Sequence, residues 1–302
     1  MRTSSGVIAS VATGITLLIT STSPASAAVT NGQIAFQSTR SGDIALWLAN
    51  ADGSDPHQLP NAPSEAQGPS WSPDGTQITF SGPVDGRGSA IWAIGADGSN
   101  PRVVADTPYY DIAPTWSPDG SQIAFDADIG EHGPDNEAFL AAADGSGYRQ
   151  FTNSPVASSS TWSPDGSELA FVRDTSLIVA PLTGDGSGSA IVTFKKGTTL
   201  TAPDWSPDGS TFVYLRGDVR SDTYDVYTIA ADGSAGQRLT NDKLPDGDPT
   251  WSADGASILW SKSVKQDGRL WRMDANGAHK TAITDPGSGS YDASPDQQAV
   301  VS

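Results

Sequence analysis

Several aspartates of this chain lie in polar stretches between apolar segments, where pairs of carboxylates could do acid–base chemistry. Enzymes that cleave glycans use two carboxylates as general acid and general base. The candidates are Asp111, Asp204, Asp248 and Asp292. If the fold brings them together, they predict a carbohydrate-active enzyme, either a glycan lyase or a hydrolase.

The same polar stretches carry residues suited to binding a partner. Aromatic side chains contribute strongly to protein interfaces, so tyrosines beside acidic residues could anchor a peptide. The candidate partner-binding residues are Tyr109, Tyr110, Asp111, Asp246, Asp248, Tyr291 and Asp292. The alternative is that these tyrosines pack against neighbouring loops.

Metal binding has weaker support in the sequence. The acidic run Asp128–Glu137 offers several oxygen ligands of the kind that calcium prefers, but its spacing does not match an EF-hand loop, and a solvated loop is the simpler interpretation. The histidines are His57, His132 and His279, and they fall in different repeats. We therefore expect no cofactor and no metal.

A repeated five-residue phrase determines where all these residues lie. Trp-Ser-Pro-Asp-Gly recurs every 43 to 46 residues, with Ala253 in place of Pro in the fifth copy, and a degenerate copy, Ala293-Ser294-Pro295-Asp296-Gln297, follows near the C-terminus. A repeat of this length containing several strands is typical of propeller blades. The motif residues are Trp71, Asp74, Gly75, Trp116, Asp119, Gly120, Trp162, Asp165, Gly166, Trp205, Asp208, Gly209, Trp251, Asp254 and Gly255.

Each repeat reads as four short antiparallel strands, which we label a to d. The phrase itself ends strand a; an apolar strand b, a polar loop, strand c, an Asp-Gly or Asn-Gly turn and a short strand d follow. This pattern predicts an all-β, six-bladed β-propeller of four-stranded antiparallel blades, closed by both termini. Residues around Ser290–Pro295 would supply strand a of the first blade. Because Gln298–Val301 reads as another strand b, an incomplete seven-bladed ring is the alternative.

The strand order separates two faces of the disc. The a–b and c–d turns lie on one face, the stereotyped face, and the b–c and d–a loops lie on the other, the variable face. Loops on a rigid scaffold carry binding groups, so function is expected on the variable face. We expect the motif tryptophans to fill the wedges between blades. The motif aspartates, together with Asp296, are expected to accept hydrogen bonds within their own turns rather than to form a metal-binding ring.

Composition and the N-terminus bear on location. Residues 1–27 combine Arg2, an apolar stretch and a small-residue cleavage site before Ala28, which predicts a signal peptide, with a propeller over residues 28–302. The formal net charge is −18 and there is no cysteine, so neither a nucleic-acid partner nor a disulfide is expected. No later run predicts a transmembrane segment in the mature chain, and a monomer is expected.

The phrase Trp-Ser-Pro-Asp-Gly followed by a Gln-Ile-Ala-Phe strand, as in Trp116–Phe125, resembles the repeat of the TolB-type β-propeller family. The resemblance covers about Asn31–Ser302 and implies a propeller fold. Full TolB also has an N-terminal α/β domain, for which this sequence leaves no room, so its envelope role of binding Pal does not carry over. Similar propellers precede peptidase domains with a Gly-x-Ser-x-Gly elbow, which is not found here. Others are pectic-fragment lyases with a metal and a histidine cluster.

These observations predict an exported, non-catalytic propeller that binds a protein or peptide through its variable face, in the cell envelope or outside the cell. The carbohydrate-active enzyme is the alternative, and a purely structural envelope scaffold is a third possibility. The sequence does not distinguish a released protein from a periplasmic or wall-held one.

Overall fold

The computed structural model describes residues 29–84, 86, 88–130, 135–153, 157–220, 223–264 and 267–301. Within these ranges the chain forms six four-stranded antiparallel sheets and no helix, so the predicted six-bladed propeller is confirmed. Since no helix is present there, nothing in the described ranges spans a bilayer as a long apolar helix. The predicted signal peptide, residues 1–27, lies outside the described residues.

The blades follow one another along the chain. Blade 1 contains β1 (Val29–Ser38), β2 (Ala45–Ala49) and β3 (His57–Gln58). Blade 2 contains β4 (Gln67–Trp71), β5 (Gln77–Val84), β6 (Gly88–Gly95) and β7 (Arg102–Ala105). Blade 3 contains β8 (Tyr110–Trp116), β9 (Gln122–Asp128), β10 (Asn136–Ala142) and β11 (Tyr148–Gln150).

The second half of the ring repeats this order. Blade 4 contains β12 (Ser158–Trp162), β13 (Glu168–Arg173), β14 (Ser176–Pro181) and β15 (Ser189–Thr193). Blade 5 contains β16 (Thr198–Trp205), β17 (Thr211–Asp218), β18 (Tyr224–Ala230) and β19 (Gln237–Arg238). Blade 6 contains β20 (Asp246–Trp251), β21 (Ser257–Val264), β22 (Asp267–Asp274) and β23 (Thr281–Ala282). The last strand, β24 (Asp292–Val301), pairs with β1 and completes blade 1.

The first strand of each of blades 2 to 6, together with β24, forms the inner wall of the ring, where each inner strand contacts the next. Every strand a therefore runs from the variable face to the stereotyped face along the central channel. This arrangement leaves only short outer strands at the rim, which limits exposed sheet edges.

The Ser-Pro-Asp-Gly turns are built from local hydrogen bonds, as predicted. In blade 4, Ser163 Oγ donates to Asp165 Oδ1 at 2.7 Å and Ser167 N donates to the same oxygen at 3.0 Å. Glu168 N donates to Ser163 Oγ at 2.9 Å, and Gly166 takes the positive φ of 71° that the turn requires. The hydrogen bonds to Asp165 lower its pKa to about 2, and the bond from Ser167 N has the largest effect. The turns of blades 2, 3, 5 and 6 repeat the pattern.

The motif tryptophans fill the wedges between blades. Trp71 packs against Leu46 and Leu48 of blade 1 and against Ile78 and Phe80 of its own blade. Trp116, Trp162 and Trp251 bridge their blades to the preceding ones in the same way, and Trp205 is partly buried. Burying one such ring contributes several kcal/mol, on the order of 3–5 by truncation.

The ring closes through blade 1, but the degenerate motif copy, Ala293–Gln297, pairs in a different register from the one that its sequence indicates. Gln297 pairs with Ile34 as Trp71 pairs with Ile78, so Gln297 occupies the tryptophan position. Asp296 consequently lies one residue before that position, inside β24, and the expectation that it belongs to a Ser-Pro-Asp-Gly turn is wrong. Residues 299–301 continue β24 and pair with residues 29–31, so they do not begin a seventh blade.

Candidate functional site

The channel wall is a ring of β-bulges near the variable face. The pairing of strand a with strand b shifts register once in blades 2 to 6 and twice in blade 1. One bulge residue in each blade has a positive φ, between 43° and 58°. These residues are Gly68, Ala113, Ser159, Ala202, Asp248 and Ser294. Bulges change the direction of side chains, so this ring determines which groups face the channel mouth.

Two of the predicted tyrosines are exposed beside this mouth. Tyr110 is 50% exposed and Tyr109 is 39% exposed. Tyr110 lines a cleft of about 420 Å³ together with Glu65, Gln67 and the bulge residue Ser294. Tyr109 also contacts the ring of Phe139 on β10, with centroids 6.4 Å apart, so its ring is partly packed against the blade and partly exposed.

Tyr291 is half-buried at the start of β24 and its backbone is fixed. Tyr291 N donates to Thr39 Oγ1 at 3.0 Å, and Thr39 N donates to Tyr291 O at 3.1 Å. The loop that carries this tyrosine is therefore held in place by the b–c loop of blade 1.

Three of the predicted aspartates occupy equivalent positions at the start of inner strands and are buried. Asp111 accepts hydrogen bonds from Thr107 N at 2.8 Å and from the Thr107 hydroxyl. Burial is the strongest influence on Asp111 and raises its pKa to about 6, although the Thr107 bonds oppose this.

The other two buried aspartates pair with cations. Asp246 accepts from Lys262 Nζ at 2.9 Å and from Trp260 Nε1 at 3.0 Å. Asp292 accepts from Arg40 Nε at 3.0 Å in a two-point ion pair. In the structure, Asp111, Asp246 and Asp292 therefore hold the loops of the variable face in position.

The remaining two candidate carboxylates face the channel. Asp248 is exposed to channel water and accepts from Ser294 Oγ at 3.0 Å. The surrounding channel wall still reduces its solvation, which raises the pKa of Asp248. Asp204 is half-buried and accepts from Trp251 N at 2.8 Å and Thr250 Oγ1 at 2.9 Å, and reduced solvation raises its pKa too.

Two further carboxylates, which the sequence-based prediction did not place in this region, join neighbouring blades in the same way. Asp296 of blade 1 accepts from Trp71 N of blade 2 at 2.6 Å, and burial raises its pKa to about 6. Asp126 of blade 3 accepts from Ser159 N of blade 4 at 2.5 Å. A Pro-Asp pair directly before the tryptophan position is shared by Asp204 and Asp296 and is a signal that could have identified them.

The acidic run at residues 128–137 is the stretch for which the sequence suggested calcium as an alternative to a solvated loop. Asp128 accepts from Gly130 N at 3.1 Å and from Asp135 N at 3.3 Å, so its carboxylate orders the ends of its own loop. Residues 131–134, including His132, lie outside the described residues. His57 is exposed, and His279 Nδ1 lies 2.7 Å from Asp274. Across the described ranges, no three His, Cys, Asp or Glu residues are grouped as metal ligands would be.

A second cleft on the variable face, of about 1000 Å³, lies between blades 4 and 5. Its lining includes Lys195, Lys196 and Arg220. The two lysines were not singled out from the sequence. Their adjacency in a chain of net charge −18 is a signal that could have drawn attention to them.

The solved structures similar to this chain share its fold at low sequence identity. TolB from Acinetobacter baumannii superposes with a TM-score of 0.74 at 20% identity, covering 88% of this chain and 66% of that chain. Putative TolB from Agrobacterium tumefaciens gives 0.62 at 17% identity, covering 90% of this chain and 100% of that one. An oligogalacturonate lyase in complex with manganese gives 0.58 at 15% identity, covering 83% of this chain and 73% of the lyase.

This chain thus spans about two thirds of the length of the Acinetobacter TolB, 66%. No curated protein matches it. A family model described as the TolB beta propeller domain matches residues 140–302, which is more than half of the chain. By this match, and in agreement with its six closed blades, the chain belongs to the TolB β-propeller family.

Proposed function

We propose that this protein is an exported, non-catalytic propeller that binds a protein or peptide partner through its variable face. The observation that supports this most strongly is the cleft of about 420 Å³ at the channel mouth, lined by the half-exposed ring of Tyr110. An exposed aromatic ring beside a preformed concavity can bury apolar surface on a partner at little conformational cost.

The loops around this cleft have the rigidity that such an interface needs. Asp111, Asp246 and Asp292 anchor the starts of three inner strands through buried hydrogen bonds and ion pairs. Tyr109, Tyr110, Asp248 and Tyr291 remain as the groups of the predicted set that a partner could contact. Preorganised loops lower the entropy cost of association.

Export is part of the proposal and depends on residues 1–27. Their charged start, apolar middle and small-residue end support cleavage after Ala27, followed by a location outside the cell or in the envelope. A net charge of −18 favours a monomer, because like-charged copies repel one another.

The test is an affinity capture with a matched pair of tyrosine variants. The purified protein is immobilised and exposed to an envelope and culture extract of the source cell, and retained proteins are identified by mass spectrometry. Tyr110→Ala is compared with Tyr148→Ala, a control that removes an equally exposed ring, at 44%, from the rim strand β11. A partner retained by the wild type and by Tyr148→Ala but lost by Tyr110→Ala is the expected result. Equal retention by both variants would contradict the proposed face.

The carbohydrate-active enzyme is the second candidate, and the channel carboxylates favour it. Reduced solvation raises the pKa of Asp204 and Asp248, and a general acid must hold its proton near working pH. The fold neighbour described as an oligogalacturonate lyase in complex with manganese suggests polygalacturonate with added Mn²⁺ as the first substrate to assay. Turnover by the wild type that disappears in Asp248→Asn would support the enzyme over the binding module.

A further inference from the structure

We infer that the cleft between blades 4 and 5 binds an acidic peptide segment of the partner. This inference rests on the proposed function, because it identifies the chemistry of part of the partner surface. The cleft has a volume of about 1000 Å³ and opens on the variable face. The charged residues of its lining are Lys195, Lys196 and Arg220 together with Asp174 and Asp218, so positive side chains outnumber negative ones by three to two.

The two lysines are held on a turn whose position is fixed from both sides. Thr198 N donates to Lys195 O at 3.2 Å, and Gly197 has a φ of 94°. Val219 N donates to Gly197 O at 3.0 Å, which ties this turn to the b–c loop of blade 5. The cations of the cleft are therefore presented by a fixed backbone.

The neighbouring blade fixes the other end of the lysine turn. Phe194 N donates to Thr175 O at 2.9 Å, and Thr175 Oγ1 donates to Phe194 O at 2.9 Å. Because both ends of the turn are hydrogen-bonded, binding of a ligand would not have to order this segment.

The side chains of Lys195 and Lys196 are exposed and make no hydrogen bond or ion pair within the described part of the chain. Lys262, by contrast, is buried and neutralised by Asp242 and Asp246. The positive charge of the two cleft lysines is thus available to a ligand.

A fourth cation lies beside the lysine turn. The guanidinium of Arg216 stacks on Phe194 at 4.3 Å and on Tyr227 at 5.2 Å from the ring centroids. Stacking orients the guanidinium while leaving its full charge. The three cations of the cleft lining, with Arg216 beside them, thus outnumber the two lining aspartates in a protein that has only 17 Lys and Arg against 35 Asp and Glu.

The cleft also offers apolar surface, which favours a peptide as the anionic ligand. Val219 is 63% exposed and lines the cleft next to Arg220. A peptide can place a carboxylate on the lysines and an apolar side chain on the valine, whereas an acidic glycan provides charge with little apolar surface. At physiological ionic strength the long-range repulsion from the net charge is screened beyond about 8 Å, so contact depends on the charges that line the cleft, three positive against two negative.

The experiment measures binding of a labelled peptide rich in glutamate, with one leucine, to the purified protein by fluorescence anisotropy at 0.15 M salt. The variant Lys195→Glu/Lys196→Glu is compared with Lys243→Glu/Lys280→Glu, which changes one exposed lysine in the loop between blades 5 and 6 and one before β23. Both double variants change the formal net charge equally, so a difference between them reports the local cleft. A polygalacturonate competitor and a lysine-rich peptide form the other two arms.

We expect the cleft variant to weaken binding of the acidic peptide roughly tenfold or more, and the control variant to bind like the wild type. Equal binding by both variants, or no binding by the wild type, would overturn the inference. Binding of polygalacturonate without the peptide would assign the cleft to an acidic glycan and also overturn it. A captured partner that depends on Tyr110 but not on the two lysines would leave the proposed function intact while refuting this inference.

Discussion

Asp126 is expected to contribute to a fall in the stability of the folded protein between about pH 4 and pH 7, and Asp126→Asn should remove the part of that fall that comes from this group. The side chain is only 2% exposed and accepts hydrogen bonds from Ser159 N at 2.5 Å and Ser160 Oγ at 3.1 Å. Burial is the strongest influence and raises the pKa of Asp126 to about 7, while the hydrogen bonds oppose the rise.

The sign and size of the effect follow from proton linkage. The folded pKa lies above the unfolded value of 3.8, so the folded state keeps a proton that the unfolded state has already lost. Stability from this group is therefore full below about pH 4 and is lost as the pH rises through about 7. A rise of about three pKa units corresponds to roughly 4 kcal/mol, at about 1.4 kcal/mol per unit.

The assay is urea unfolding followed by tryptophan fluorescence at several pH values from 4 to 8. Between these limits the free energy of unfolding of the wild type should fall by roughly 4 kcal/mol more than that of Asp126→Asn. Asp165→Asn is the control. In the wild type the pKa of Asp165 is lowered to about 2, so the titration of Asp165 affects stability only as the pH falls below about 4. Parallel pH curves for wild type and Asp126→Asn would show that Asp126 stays ionised in the fold, and would refute the reasoning.

Three further predictions concern the same free energy of unfolding. Trp162→Ala should lower it by about 3–5 kcal/mol because it empties the wedge between blades 3 and 4, and a loss below about 1 kcal/mol would contradict that role. Gln297→Leu should raise the free energy of unfolding by about 1 kcal/mol, because it removes the buried side-chain oxygen of Gln297, which has no partner among the described residues. A decrease in the free energy of unfolding would show that the 3.3 Å hydrogen bond from Gln297 Nε2 to Gly32 O matters more. Gly233→Ala should lower the free energy of unfolding more than Gly287→Ala does, although φ is positive at both positions, 83° and 90°. At Gly233 the new Cβ would lie 2.4 Å from the backbone oxygen of Ile191, whereas at Gly287 it would meet no atom within 4 Å. Equal losses of stability in the two variants would contradict this reasoning.

The repeated part of the fold could be predicted because its determinants are local. One phrase, Trp162–Gly166, contains the wedge-filling ring, the hydrogen-bonding serine and aspartate, and the glycine with positive φ. Since each of these acts within a few residues or on the adjacent blade, the phrase predicts a blade wherever it recurs.

The closing blade could not be placed in the correct register from sequence. Gln297 replaces the tryptophan, so the only recognisable part of the motif is Ser294-Pro295-Asp296, which occurs four residues too early. The equivalent letters in blade 5 are Pro203-Asp204, directly before Trp205. Without the tryptophan, strand pairing with β1 is needed to fix the alignment.

The candidate site was predictable as a face of the disc but not residue by residue. Asp111 and Asp292 lie at the variable-face ends of inner strands rather than in the loops, and both are buried by partners that sequence does not reveal. The partner of Asp292 is Arg40, which is 252 residues away. The lysine cleft escaped prediction because it forms only when the loops of blades 4 and 5 come together.

The central claim is that the variable face binds the partner, and hydrogen–deuterium exchange of the captured complex tests it most directly. Binding should slow exchange of backbone amides in the d–a loops around Tyr110 and Tyr291. Amides in the Trp-Ser-Pro-Asp-Gly turns on the stereotyped face should exchange as in the free protein. Protection confined to those turns, with unchanged exchange around Tyr110 and Tyr291, would contradict the account.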